Sequence, residues 1–268
     1  MARLFKVGLS LLLLAFALIA ASYGMLRAQG IHSPGSPAGR EVGSESRSIG
    51  PGIDEIELSG PIDLNLLHGT EPSLRVRGEQ RLLSNIDTRQ DGNVLHIGIK
   101  GMLLHHRNPL EVDLQLPELK ALTVRGSGNT NVNGFSGRKL SVQLHGSGNV
   151  NVMGRYSDIV GGLRGSGNLN LNGGNSESIR LELVGSGQMT ATGSTAALKV
   201  DLTGSGDLDA EHLAASTLKL VLQGSGSADV FASRDVDLVL RGSGDIRVYG
   251  NPEERKVSRA GSGEVKWE

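Results

Sequence analysis

Between residues 140 and 154 apolar and polar side chains alternate strictly. Leu140, Val142 and Leu144 are separated by Ser141, Gln143 and His145, and Val150 and Val152 are flanked by Asn149 and Asn151. Strand side chains point to opposite faces with period two, so the pattern predicts two half-buried strands whose apolar residues share one face. Gly146-Ser147-Gly148 lies between them and marks a bend. The tripeptide occurs eight times, with first glycines at Gly126, Gly146, Gly165, Gly185, Gly204, Gly224, Gly242 and Gly261, in steps of 20, 19, 20, 19, 20, 18 and 19 residues. A fixed period of this length is the signature of a stacked solenoid. Two short strands and two bends in about 19–20 residues make one coil of an all-β, parallel β-helix. With rungs about 4.8 Å apart, eight such coils give a rod of about 35 Å before the N-terminal part is added.

Superposing the units gives columns. Two positions after each tripeptide come Thr130, Val150, Leu169, Met189, Leu208, Ala228, Ile246 and Val265; four positions after come Val132, Val152, Leu171, Ala191, Ala210, Val230, Val248 and Trp267. These are expected to point inward. The positions around them run Asn129, Asn149, Asn168, Gln188, Asp207, Ser227, Asp245, Glu264 and Asn131, Asn151, Asn170, Thr190, Asp209, Asp229, Arg247, Lys266. They are expected to form two outward polar ladders. Glycine at the bends fits a need for positive φ or close backbone approach. The cost of about 0.5–1 kcal/mol per glycine relative to alanine is offset by the burial of Leu and Val, worth about 1.5–3 kcal/mol each. That balance holds only when coils cover each other, so a single excised coil is expected to be unfolded.

Residues 49–118 lack the tripeptide but keep strand patterns, among them Ile53 to Leu58, Ile62 to Leu66, Leu74 to Arg77, Val94 to Ile99 and Val112 to Leu116. They read as diverged coils that begin and cap the solenoid, with regular repeats over 119–268. Trp267, the only tryptophan, reads as a plug at the far end. Ahead of this body, residues 1–28 have the layout of a secretory signal: Arg3 and Lys6, the apolar run Val7 to Ala21, then small residues. An uncleaved anchor is the alternative, since Val7 to Leu26 is just long enough to span a bilayer. Residues 29–48, rich in Ser, Gly and Pro, read as a flexible linker.

Composition narrows the function. Aromatic residues make up 3 % and glycine accounts for 39 positions, which suits a narrow aliphatic interior. The net charge is −1 with no basic stripe, so nucleic acid is not expected as a partner. Cysteine is absent, which excludes disulfides, a lipobox and thiolate metal sites; an exported chain of this kind relies on repetition for its stability. A membrane is expected to be met only through the N-terminal segment.

The order of the diverged segments carries a resemblance. Ile62 to Leu66 is followed by Leu74-Arg75-Val76-Arg77-Gly78, Leu82-Leu83-Ser84-Asn85-Ile86, Asn93-Val94-Leu95-His96-Ile97, Val112 to Leu122 and the Gly-Ser-Gly-Asn repeats. This closely resembles the bacterial family called putative auto-transporter adhesin, head GIN domain, a domain of unknown function, over roughly residues 50–268. The resemblance implies an exported, right-handed parallel β-helix and, through the family name, adhesion. It supplies no catalytic residues. An auto-transporter also needs a C-terminal membrane barrel, and with the chain stopping at Glu268 self-export is not expected.

Chemistry-bearing motifs are weak. Gly-x-Gly here leads into a strand rather than a helix, so it does not read as a dinucleotide fingerprint. No Gly-x-Ser-x-Gly elbow occurs, and the repeated serines are expected to form a stacked hydroxyl ladder. Asp207, Asp209, Asp229 and Asp245 gather on the outward ladders and read as a solvated acidic face, with calcium ligation the alternative. His105-His106 reads as a loop whose side chains point apart. No catalytic residue, cofactor or metal is expected. The candidate binding face comprises Asn129, Asn131, Asn149, Asn151, Asn168, Asn170, Asp207 and Asp209. Two readings stand: an envelope or surface binding module whose ladders recognise an extended glycan or protein, and a structural scaffold without a specific ligand. A carbohydrate-active enzyme is a distant third, because a solenoid fold by itself confers no activity. Replacing Asn149 and Asn168 by alanine is expected to abolish binding with little change in stability; a scaffold would respond to changes at its ends, such as Trp267→Ala.

Overall fold

A computed structural model describes residues 41–101 and 108–268. The signal, residues 29–40 of the linker and His105-His106-Arg107 lie outside the described residues. Val42–Glu268 forms one compact unit, a parallel β-solenoid of about seven turns with coils about 20 residues apart.

Six long strands make the regular part: β9 (Asn129–Gly146), β10 (Asn149–Gly165), β11 (Asn168–Gly185), β12 (Gln188–Gly204), β13 (Asp207–Gly224) and β14 (Ser227–Gly242). Each is a whole coil. The sequence reading of two short strands per coil is corrected here, because pairing between neighbours carries on around the second bend with a register shift, as between Met153 and Asp158. Each long strand ends at a Gly-Ser-Gly, and gaps in pairing also fall at the second bend, as between Ala210 and Ala215. Neighbouring coils run parallel and in register, for example Val150↔Leu169 and Leu163↔Leu183.

The tripeptide has two distinct glycine roles. Gly146 takes φ +133°, which side chains rarely adopt. Gly148 does not need a positive φ; a Cβ there would lie 2.5 Å from the Gly128 carbonyl oxygen of the preceding coil. The N–H groups of Gly148 and Asn149 donate to the Gly126 and Gly128 carbonyls at 3.1 Å each, so backbone meets backbone at this corner. The serines are held likewise: Ser147 N–H donates to Gly126 C=O at 3.2 Å. Among the described residues of the repeated serines, a hydroxyl-to-hydroxyl bond is found between Ser262 and Ser243, at 3.0 Å, and the corner is otherwise joined through main-chain bonds.

The N-terminal part does not follow chain order. β2 (Glu55–Ser59) and β3 (Ile62–His68) form a rung that lies between two later ones. On one side are β6 (Val94–Ile99) and β7 (Leu110–Leu116), parallel to β2 and β3; on the other are β8 (Ala121–Gly126) and β9. Beyond β6 and β7 the direction reverses. β4 (Ser73–Glu79) runs antiparallel to β7, β5 (Ile86–Asp91) antiparallel to β6, and β1 (Val42–Arg47) antiparallel to β4. A 3-10 turn, Gln80–Asn85, buries Leu82 and Leu83 beside them. The folded body therefore starts at Val42, earlier than the boundary at 49 read from the sequence, since β1 pairs with β4 along its full length.

The core is a continuous aliphatic column from Ile53 to Val248. The expected inward positions are buried, down to alanines such as Ala191, Ala210 and Ala228, except Val265 and Trp267 on the last rung, which are partly buried. Tyr156 is buried on a third inward column, its hydroxyl donating to Leu119 C=O at 2.9 Å; burial pushes its phenol well above the usual range. Thr130 is the exception to good chemistry: its side chain is fully buried and its Oγ1 has no hydrogen-bond partner.

At the other end, β15 (Asp245–Tyr249), β16 (Glu254–Ala260) and β17 (Glu264–Trp267) complete the stack. Arg255, Val257 and Arg259 are register partners of the inward Val236, Leu238 and Leu240. Two arginines thus fall on the inward register of the last rung, where β16 is exposed along its whole length. Arg255 lies 4.3 Å above the Trp267 ring, and Arg259 donates to Gly263 C=O at 3.3 Å. Trp267 is half-buried against the core, the place expected of it.

Candidate functional site

The outward columns become two hydrogen-bonded amide ladders because parallel, in-register coils bring identical positions to rung spacing. In the first, Asn168 Nδ2 donates to Asn149 Oδ1 at 2.7 Å, and Asn149 Nδ2 to Asn129 Oδ1 at 2.8 Å. In the second, Asn170 donates to Asn151 at 2.6 Å and Asn151 to Asn131 at 3.1 Å. Every amide points its N–H the same way, toward the N-terminal end.

Each ladder ends on a carboxylate. Asn129 donates from its backbone N–H (2.7 Å) and its side chain (3.3 Å) to Asp63 Oδ1. Asn131 donates to Asn65 at 3.4 Å, and Asn65 to Asp113 at 3.2 Å. Arg77 holds Asp113 at 2.8 Å and Glu111 at 3.2 Å. A carboxylate only accepts, so it is the natural terminus for a chain of donors all running one way, and chains of aligned bonds polarise one another. Asp63, Asn65 and Asp113 were not among the sequence candidates. Their signal was present, since Ile62-Asp63-Leu64-Asn65-Leu66 repeats the alternation of Val150-Asn151-Val152, but the offset of 66 residues to Asn129 and Asn131 follows only from the inserted rung.

The bonded amides bear on what a double replacement removes. Asn168 donates to Asn149 and Asn149 to Asn129, so replacing Asn149 and Asn168 takes away two ladder bonds as well as altering the face. An amide offers two N–H donors and two carbonyl lone pairs. Within a ladder each amide uses one donor and at most one acceptor site, leaving at least one donor and one acceptor per residue beside the groove between the columns. That groove is lined by Asp63, Asn65 and Glu111 and by the asparagines out to Gln188.

Asp207 and Asp209 continue the same two columns, as partners of Gln188 and Thr190, but take no part in the amide ladder. Asp207 accepts from the Ser227 hydroxyl at 2.6 Å and its N–H at 3.0 Å. Asp229, beside Asp209, is held by a two-pronged Arg247 pair at 2.6 Å for each bond. Asp245 accepts from the Glu264 N–H at 3.1 Å. Among the described residues no group of three or more His, Cys, Asp or Glu is placed to hold a metal ion.

Residues 52–252 match the family model described as putative auto-transporter adhesin, head GIN domain. Among solved structures, a putative adhesin from Parabacteroides distasonis is similar at 24 % identity and a TM-score of 0.80, covering 85 % of this chain and 97 % of its own. A putative lipid binding protein from the same species has 23 % identity and a TM-score of 0.78, with coverage of 85 % and 96 %. A putative adhesin from Parabacteroides merdae has 20 % identity, a TM-score of 0.76 and the same coverage. At these identities the likeness establishes the fold. No curated protein matches the chain.

Proposed function

The chain belongs to the putative auto-transporter adhesin, head GIN domain family, and from that premise we propose that it is an exported, non-catalytic binding module of the periplasm or cell surface. The observation that carries the reading is the double amide ladder. It leaves at least one donor and one acceptor on each asparagine, ordered by the ladder bonds, at a spacing of about 4.8 Å along the rod. A hydroxyl is itself both donor and acceptor, so a neutral, hydroxyl-rich polymer lying along the groove is the ligand this array suits. The amides are pre-ordered by their mutual bonds, which reduces the entropy lost on binding.

The scaffold reading is the alternative, and the ends speak against its end-to-end form. The N-terminal end is covered by antiparallel strands, and the exposed last rung carries two arginines at the register of core residues. Inward charge is a known way to blunt a sheet edge.

Co-sedimentation of the full chain with neutral envelope polysaccharides tests the proposal. Retention is expected, and the Asn149→Ala/Asn168→Ala variant should lose it at a temperature where circular dichroism shows that variant folded. Retention unchanged in the folded variant, or no retention on any polysaccharide, overturns the ladder as the site.

A further inference from the structure

Another side of the coil carries a charge pattern that the amide ladders do not use. Arg180 on β11, Lys199 on β12 and Lys219 on β13 are register partners on successive rungs, about 4.8 Å apart. The neighbouring outward column carries Ser178, Ala197 and Thr217 on the same rungs. A groove of about 530 Å³ runs along this surface and is lined by both columns. Acids enter these columns only beyond the three rungs: Asp158 on one side, Asp235 and Asp237 on the other. On the far flank of the cations stand Glu182 and Asp201. Glu182 is held by Arg164 at 2.9 Å, and Asp201 pairs with Lys199 at 3.1 Å. Lys219 lies 3.7 Å from Asp237. Arg180 has no ion-pair partner among the described residues.

Like charges directly opposite on neighbouring strands repel, and an anion laid along the rod would relieve that repulsion at Arg180 and compete for Lys199 and Lys219 with the exposed acids beside them. We propose that the stripe binds an acidic polysaccharide, with carboxylate or sulfate groups meeting Arg180, Lys199 and Lys219. The guanidinium of Arg180 matches such groups with two parallel bonds. Ser178 and Thr217 already donate, to Asp158 at 2.8 Å and to Ala196 C=O at 3.1 Å. Their oxygens therefore face the groove as acceptors for sugar hydroxyls. A polymer fits better than a membrane. The exposed large hydrophobic residues among those described are Val42, Leu67, Met153, Val184 and Val257, and none of them lines this groove.

Dextran sulfate and neutral dextran beads, with the full chain, provide the test. Binding to dextran sulfate but not to dextran is expected, weakening as salt rises. Arg180→Gln/Lys199→Gln/Lys219→Gln should weaken it by about tenfold or more, since three exposed pairs are each worth a fraction of that factor. Arg89→Gln/Arg138→Gln/Arg155→Gln removes the same charge from exposed positions elsewhere and should leave binding within about twofold. The Asn149→Ala/Asn168→Ala variant should still bind dextran sulfate, which separates failure of this proposal from failure of the ladder reading. Equal loss in both charge variants, no binding to dextran sulfate, or tighter binding to phosphatidylglycerol vesicles than to dextran sulfate overturns it.

Discussion

Replacing Gly148 by alanine distinguishes two explanations of the repeat. If the third glycine of the tripeptide served only backbone freedom, alanine would stabilise the protein by about 0.4–1 kcal/mol, because the position lies outside the left-handed region and the unfolded chain would lose entropy. The structure gives the opposite sign. An added Cβ would sit 2.5 Å from the Gly128 carbonyl oxygen and 3.3 Å from that of Gly126, whereas ordinary contact begins at 3.4 Å. The coils would have to part by about 0.9 Å at this corner. They are held there by two backbone bonds of 3.1 Å, and the obstructing atom is backbone that cannot rotate away. Overpacking of this kind costs about 1–3 kcal/mol. Less the entropy gain, a net loss of about 1–2 kcal/mol is expected. For a body of this size that corresponds to a fall of about 2–8 °C in Tm. Thermal and urea unfolding followed by far-UV circular dichroism would measure it. A Gly148→Ala protein as stable as the parent, or more so, refutes the close-approach argument.

Further predictions follow from other corners of the molecule. Thr130→Val keeps the shape of a fully buried side chain and removes an unpaired hydroxyl, so stability should rise by about 1 kcal/mol or more, read as a higher urea midpoint. Arg255→Leu/Arg259→Leu turns the last rung apolar inside and should promote association, visible as larger species in sedimentation velocity; a monodisperse variant of unchanged size would show that the arginines do not guard the edge. His145 is held below its usual pKa, first by burial and then by Arg125 and Arg164 on the adjacent coils. The unfolded chain therefore takes up a proton more readily than the folded one. Stability should fall as pH drops through about 6.5 and level off below the folded value. His145→Gln should remove that part of the pH dependence, and an unaltered profile of Tm against pH between about 5 and 7.5 would contradict the assignment.

The repeat was legible because its causes are local. Alternation with period two fixes which side chains share a face, and the Gly-Ser-Gly fixes where the chain turns, so Val150, Val152 and Leu169 could be placed inside and Asn149 and Asn168 outside from the sequence alone. The solenoid's stacking follows, since one coil cannot bury its own apolar face. Trp267 was placed at the end by the same column count. What resisted was the N-terminal part. Nothing local in Ile62 to Leu66 says that this rung lies between Leu110–Leu116 and Asn129–Asn133, because strand order is chosen by competition among distant partners with similar patterns.

The candidate site divides along the same line. Sequence by itself determined that two outward columns of asparagine exist, because a column is only periodicity read modulo the coil. Tertiary structure decided what they do. In-register parallel pairing brings each amide within bonding distance of the next, so part of each asparagine's hydrogen-bonding capacity is spent within the protein and the rest is left for a ligand. The inserted rung supplies Asp63, and β7 beside it supplies Asp113, as the acceptors that close the chains, and the last rung supplies the arginines of the blunted edge. Local pattern sets which face a side chain takes; only the assembled stack sets which groups it meets there.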